Sequence, residues 1–92
     1  RFANGNVYEG EYVAGKREGR GTYRYASGRA EVGRYKANAD VGEGARWSAD
    51  RATAWRLQDG EPVGEIPLEE AARIAQALGL AVPPRADAVQ AV

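Results

Sequence analysis

Residues 8–23 read Tyr8-Glu9-Gly10-Glu11-Tyr12-Val13-Ala14-Gly15-Lys16-Arg17-Glu18-Gly19-Arg20-Gly21-Thr22-Tyr23, and this stretch decides the fold. Tyr8, Gly10 and Tyr12 alternate with Val7, Glu9, Glu11 and Val13, a period of two that belongs to a strand. Ala14 to Glu18 is turn-like, with Gly15 free to take positive φ. Tyr23 and Tyr25 then alternate with Thr22 and Arg24, which predicts a returning strand, and Ser27-Gly28 marks the next tight turn. Gly10 sits between two tyrosines on one face. An aromatic ring from a neighbouring strand can therefore lie flat over bare backbone there.

The pattern repeats 23 positions on. Laying residues 2–23 over 25–46 gives seven identities, among them Gly10 with Gly33, Tyr12 with Tyr35, Gly19 with Gly42 and Gly21 with Gly44. Nine of the twelve glycines lie before residue 45, nearly all at repeat positions, which a chance glycine-rich tract would not produce. The first unit resembles the MORN repeat (membrane occupation and recognition nexus): Tyr-x-Gly-Glu-aromatic, then Gly-Lys, then Gly-x-Gly. The second unit keeps Gly33, Tyr35, Gly42 and Gly44. It departs where Glu31 replaces the first aromatic, where Asn38-Ala39 replaces Gly-Lys, and where Arg46-Trp47 follows Gly44 one residue early. It reads as a decaying last repeat, and Phe2 to Gly5 as the tail of an earlier one. The resemblance covers residues 1–50.

The second half is expected to cap the array. Ala54 to Leu57 reads as a short strand, Gln58-Asp59-Gly60-Glu61 as a turn with the Asp-Gly hairpin signal, and Pro62 to Ile66 as the return. Pro62 suits an edge strand, where a missing N–H is harmless. Pro67 opens a helix, with Glu69 and Glu70 in its positive first turn and Gly79 as the left-handed stop. Leu68, Ala71, Ala72, Ala75 and Leu78 form its apolar stripe, flanked by Ile74. The expected organisation is repeats over 1–50, a terminal hairpin over 51–66, a capping helix over 67–82 and a tail over 83–92. The expected fold class is mainly β: consecutive antiparallel β-hairpins followed by one short C-terminal α-helix. That helix would cover an open sheet edge.

Composition narrows the chemistry. Thirteen Lys and Arg balance thirteen Asp and Glu, so the zero net charge disfavours a general polyanion binder. The balance conceals a segregation: residues 1–39 carry +4, residues 40–67 carry −3 and the remainder −1. Leu, Ile, Val and Phe supply only 15 of 92 residues, so the core must use aromatics, alanines and close backbone packing. Cysteine and histidine are both absent, which removes disulfides, the usual zinc ligands and the base of Ser-His or Cys-His catalysis. No apolar run approaches the roughly 20 residues of a membrane span. The chain opens at Arg1 without a leader, which predicts an excerpt of a longer protein of unassigned compartment.

Three features could carry function. Gly10-x4-Gly15-Lys16 matches the start of a phosphate-binding loop, but Arg17 stands where Ser or Thr should hold magnesium, and strands flank it. No cofactor is expected. The acidic stretch containing Asp40, Glu43, Asp50, Asp59, Glu61 and Glu65 marks no cleft for paired-carboxylate hydrolysis, and solvated turn acids explain it better. Lys16, Arg17 and Arg20 cluster near a hairpin turn and could meet anionic lipid headgroups, at about 1 kcal/mol per well-placed basic residue. The interleaved Glu9, Glu11 and Glu18 weaken that contact.

The aromatics make the stronger case. Tyr8, Tyr12, Tyr23, Tyr25, Tyr35 and Trp47 recur at strand spacing, with Trp55 beyond them. Most must be core, and the resemblance implies that some line a groove receiving a partner helix or peptide. Nucleic acid is not expected, because base stacking wants basic residues around the rings. The expectation is a non-catalytic scaffold or structural subunit that binds other proteins. A phosphoinositide or anionic-membrane adaptor, or a regulatory repeat region of a larger enzyme, is the alternative the resemblance allows.

Overall fold

Three two-residue turns set the architecture. Ala14 and Gly15 have φ of 52° and 79°, Ala37 and Asn38 have 50° and 75°, and Asp59 and Gly60 have 52° and 85°. Positive φ at both central residues matches the right-handed strand twist and closes a tight hairpin. In the computed structural model, which describes residues 4–85, these turns join β1 (Val7–Val13) to β2 (Lys16–Arg24), β3 (Ala30–Lys36) to β4 (Ala39–Trp47), and β5 (Ala54–Gln58) to β6 (Glu61–Ile66). The strands form one antiparallel sheet in the order β1-β2-β3-β4-β5-β6, followed by α1 (Leu68–Ala77). The chain is thus mainly β-hairpins with one C-terminal helix, as its sequence predicts. The first turn is shorter than expected: Lys16 to Glu18 already belong to β2. Phe2 and the tail beyond Arg85 lie outside the described residues.

Glycine shapes the first four strands. Gly10 pairs with Gly21, Gly21 with Gly33, and Gly44 lies beside Gly33 across the next ladder. A Cβ on Gly21 would collide with the Tyr8 ring, and one on Gly44 with the carbonyl of Val32. Beside this column the ladder bulges. Gly10 and Tyr12 pair with Gly21 and Arg17, so Glu11 faces three residues centred on Gly19, whose φ is 75°. The same irregularity recurs 23 residues on, around Gly42 at φ 73°. The third hairpin lacks that glycine bulge, its single register slip falling between Arg56 and Leu57.

Each later turn is tied to the hairpin before it. Asn38 donates its N–H to the Arg17 carbonyl at 3.1 Å, and its Oδ1 accepts the Arg17 N–H at 2.8 Å. Asp59 makes the same exchange with Gly42, at 2.9 Å and 2.7 Å. The hairpins therefore stack through side chains as well as through the ladder.

The sheet has two unlike faces. Val32, Ala45, Trp47 and Ala54 on one face pack against Ala71, Ile74, Ala75 and Leu78 of α1 and the residue after it. The buried helical stripe is shifted toward Ile74, and Leu68 remains 45% exposed. Leu78 closes the helix, Gly79 takes φ 74°, and Leu80 N–H bonds back to the Ala75 carbonyl at 2.9 Å, a Schellman stop. Leu80 then folds onto the core. The helix lies across β4 and β5 on the face of the sheet, not over an open sheet edge as the sequence reading expected. A sheet this thin needs a second layer on one face, and the small Ala45 and Ala54 leave room for one.

Pro83 and Pro84 do not end the order. Pro83 is buried, and Arg51 donates Nε–H to the Pro83 carbonyl at 3.0 Å and an NH2 hydrogen to that of Pro84 at 2.9 Å. The same guanidinium reaches the Gly28 and Ser48 carbonyls at 2.9 Å and 2.7 Å. Arg51 thus clasps the segment after the helix to two inter-hairpin turns.

Two substitutions check this account by chemical denaturation. Gly21→Ala is expected to cost about 1–3 kcal/mol by driving a methyl into the Tyr8 ring, whereas Gly64→Ala, with open space beside it, is expected to stay within about 0.5 kcal/mol. Ala14→Asn is expected to stabilise by roughly 0.5–1 kcal/mol, because Asn accepts positive φ more readily than Ala.

Candidate functional site: the tyrosine face

The face opposite α1 carries an aromatic layer. Tyr8 packs edge-on against Tyr12 and Tyr35, with ring centroids 5.0 Å and 5.2 Å apart and planes at 85°. This geometry sets the positive ring edge on the negative ring face, worth about 0.5–1.5 kcal/mol per pair beyond burial. The Tyr8 hydroxyl donates to the Glu11 carbonyl at 3.0 Å. Tyr8 and Tyr35 are buried, at 7% and 3% exposure, and Tyr12 stands above them at 51%. Tyr23 lies beside Tyr25, centroids 5.0 Å apart, and its hydroxyl accepts from Asn6 Nδ2 at 3.2 Å.

Arg17 occupies the centre of this layer. Its guanidinium lies 5.1 Å from the Tyr35 ring, 5.2 Å from Tyr23 and 5.9 Å from Tyr8, and donates to the Asn38 carbonyl at 2.9 Å. Weak guanidinium hydration makes arginine suited to stacking on rings. The basic cluster read from the sequence is therefore dispersed. Lys16 is exposed at the first hairpin end. Arg20 points to the helix face and donates from Nη1 to the Leu78 carbonyl at 3.0 Å, where the helix dipole is negative. Strand alternation puts Arg17 and Arg20 on opposite faces, so Lys16, Arg17 and Arg20 do not form one basic patch.

Trp47 also leaves the predicted aromatic face. It is 2% exposed and packs in the core under α1. Arg46, not Trp47, occupies the place of Tyr23, because the bulge keeps the 23-residue register through Gly44. Trp47 instead takes the place of Arg24, on the other side of the sheet. Arg46 pairs with Glu31 through Nε at 2.8 Å, the two side chains 19% and 5% exposed. Glu31 also accepts a hydrogen bond from the Tyr25 hydroxyl. Removing Arg46 would strand a buried carboxylate, a loss of about 3–5 kcal/mol. Trp55 pairs with Arg46 across the β4–β5 ladder and supplies the aromatic that the sequence reading sought in Trp47.

Burial perturbs the acids of this face. It pushes the phenols of Tyr8, Tyr25 and Tyr35 upward, Tyr35 the furthest, with nearby carboxylates adding to the effect at Tyr25 and Tyr35. Burial also raises Asp40, against the opposing pull of Arg17 and a hydrogen bond from Tyr35. The arrangement offers neutral rings, a cation caged among three of them and paired charges.

A sheet of stacked glycine-marked hairpins with an ordered tyrosine face defines a β-hairpin repeat protein. The family model for the MORN repeat matches residues 8–28, so the chain carries a MORN repeat there. MORN repeats are modules often engaged in membrane or protein interaction. No curated protein matches the chain. Among the described residues no helix is long and apolar enough to cross a membrane.

The buried phenols give a measurable pH dependence. A free tyrosine ionises near pH ~10, and the folded state holds the Tyr8, Tyr25 and Tyr35 protons above that. Their contribution to stability is full below the unfolded value and is lost as pH rises through the folded ones. Near-ultraviolet absorbance should show the buried Tyr8 and Tyr35 ionising only as circular dichroism reports unfolding, and the half-buried Tyr25 ionising at higher pH than a free tyrosine.

Proposed function

We infer that the chain is a non-catalytic scaffold segment whose tyrosine face receives a helix or extended segment of another protein. One observation carries this reading: α1 packs over β4 and β5 on one face of the sheet, while the other face keeps an ordered aromatic layer topped by the exposed Tyr12. Rings pinned by edge-to-face contacts and by Arg17 lose little entropy when a partner covers them. Tyrosine and arginine are also the residues that anchor protein interfaces, because each buries area while keeping a polar tip bonded. The separation of Arg17 from Arg20 counts against an anionic membrane as the main partner, since headgroup attraction needs basic residues on one side.

The experiment is site-specific photocrosslinking in cells of the source protein's own kind, with the photoreactive residue at Tyr12 or, as control, at Gln76 on the outer side of α1. The expected outcome is a discrete crosslinked protein from Tyr12 and none from Gln76. Equal crosslinking from both positions, or strong salt-sensitive sedimentation of the purified chain with phosphatidylinositol phosphate liposomes, would overturn the reading.

A further inference from the structure

At the β6 end of the tyrosine face, Arg29, Arg46, Trp55 and Pro62 line an open cleft of about 120 Å³. None of the four was marked by the repeat pattern. Two lie on β4 and β5 with side chains meeting across the ladder, one precedes β3, and Pro62 comes from the edge strand. The size suits a small flat group, since a cavity of about 150 Å³ accepts a benzene ring.

The walls define the occupant. Arg29 is exposed, with its guanidinium 4.9 Å from the Tyr25 ring centre. Stacking uses the face of a guanidinium and leaves its N–H donors on the rim. Arg46 gives its Nε–H to Glu31, which leaves the hydrogens of its two terminal nitrogens for a second acceptor. Glu31 neutralises one of the two positive charges, so the cleft keeps a single net positive charge among these groups. Glu65, across from Trp55 on β6, is exposed and screened by water. The remaining walls are the Trp55 indole and the Pro62 ring. Planar donor forks beside a flat apolar wall match a carboxylate joined to an apolar group, because a carboxylate is the planar bidentate partner of arginine.

We propose that this cleft binds a carboxylate carried on a flat or short apolar stem, presented by an acidic segment of the protein that docks on the tyrosine face. The proposal rests on that docking reading and adds to it the sign and shape of one anchor. The partner's acidic group enters at the β6 end while its apolar surface covers Tyr12 at the β1 end. The Glu31–Arg46 pair holds the fork in place from beneath.

Benzoate is the probe, titrated into the intact chain and followed by proton–nitrogen NMR. Saturable shifts are expected at the Trp55 indole N–H and the Arg29 Nε–H, with the Trp47 indole unmoved. Arg29→Gln is expected to weaken benzoate at least fivefold without changing the melting temperature, because Arg29 is exposed. Trp55→Leu, checked for folding by the same spectra, should weaken it similarly. Absence of saturable shifts, or unchanged affinity in Arg29→Gln, would overturn the proposal. Inorganic phosphate binding as tightly as benzoate would also overturn it, making the cleft a phosphate site. None of these results touches the Tyr12 crosslinking experiment, so a failure of the cleft and a failure of the docking face are told apart.

Discussion

A column of glycines across four neighbouring strands is the constraint on which this molecule depends. Gly10, Gly21, Gly33 and Gly44 leave a bare strip of backbone running across the sheet. Tyr8 lies on that strip, and the ring that would otherwise stand away from the sheet becomes part of its floor. Without side chains in the column, the ladder can also approach closely and bend at the bulges around Gly19 and Gly42. The 23-residue period spans one hairpin and so returns a glycine to the column on every second strand, Gly10 to Gly33 and Gly21 to Gly44. The aromatic layer and the position of Arg17 follow from it.

The two faces divide the work of burial. On the helix face, alanines and one tryptophan meet an alanine-rich helix, so a chain poor in aliphatics still closes a dry core. On the tyrosine face the described residues form no second layer. Polar atoms there are satisfied locally: Tyr8 by a carbonyl, Arg17 by a carbonyl and three rings, Glu31 by Arg46 and Tyr25. The third hairpin completes the sheet with the same tight turn but without the glycine bulge, which is why the repeat fades in sequence before it fades in structure.

Much of this was legible beforehand. The alternation around Gly10, the Asp59-Gly60 turn, the edge position of Pro62 and the Gly79 stop each rest on backbone rules that act within a few residues. The site was less legible. Tyr8, Tyr12, Tyr23, Tyr25 and Tyr35 do share a face, but Trp47 belongs to the core and Trp55 to the surface. Alignment on the aromatic alone missed that the bulge preserves register through Gly44 and sets Arg46 on the tyrosine face. Lys16, Arg17 and Arg20 look like one basic patch because they are near in sequence, but an odd separation along β2 puts Arg17 and Arg20 on opposite sides of the sheet. Arg51, at φ 63° in a loop, carries no sequence signal for its clasp on residues 83 and 84.

The sequence by itself determined the hairpins, their period and the helix that follows, because turn conformation, alternation and glycine requirements are local. Tertiary structure alone decided which face α1 covers and which tyrosines remain reachable. It also decided that Arg29, Arg46, Trp55 and Pro62 meet. Those outcomes depend on the summed register across five ladders and on which face best excludes water. A one-residue shift in any ladder reverses every side chain beyond it, and no short stretch of sequence records that sum.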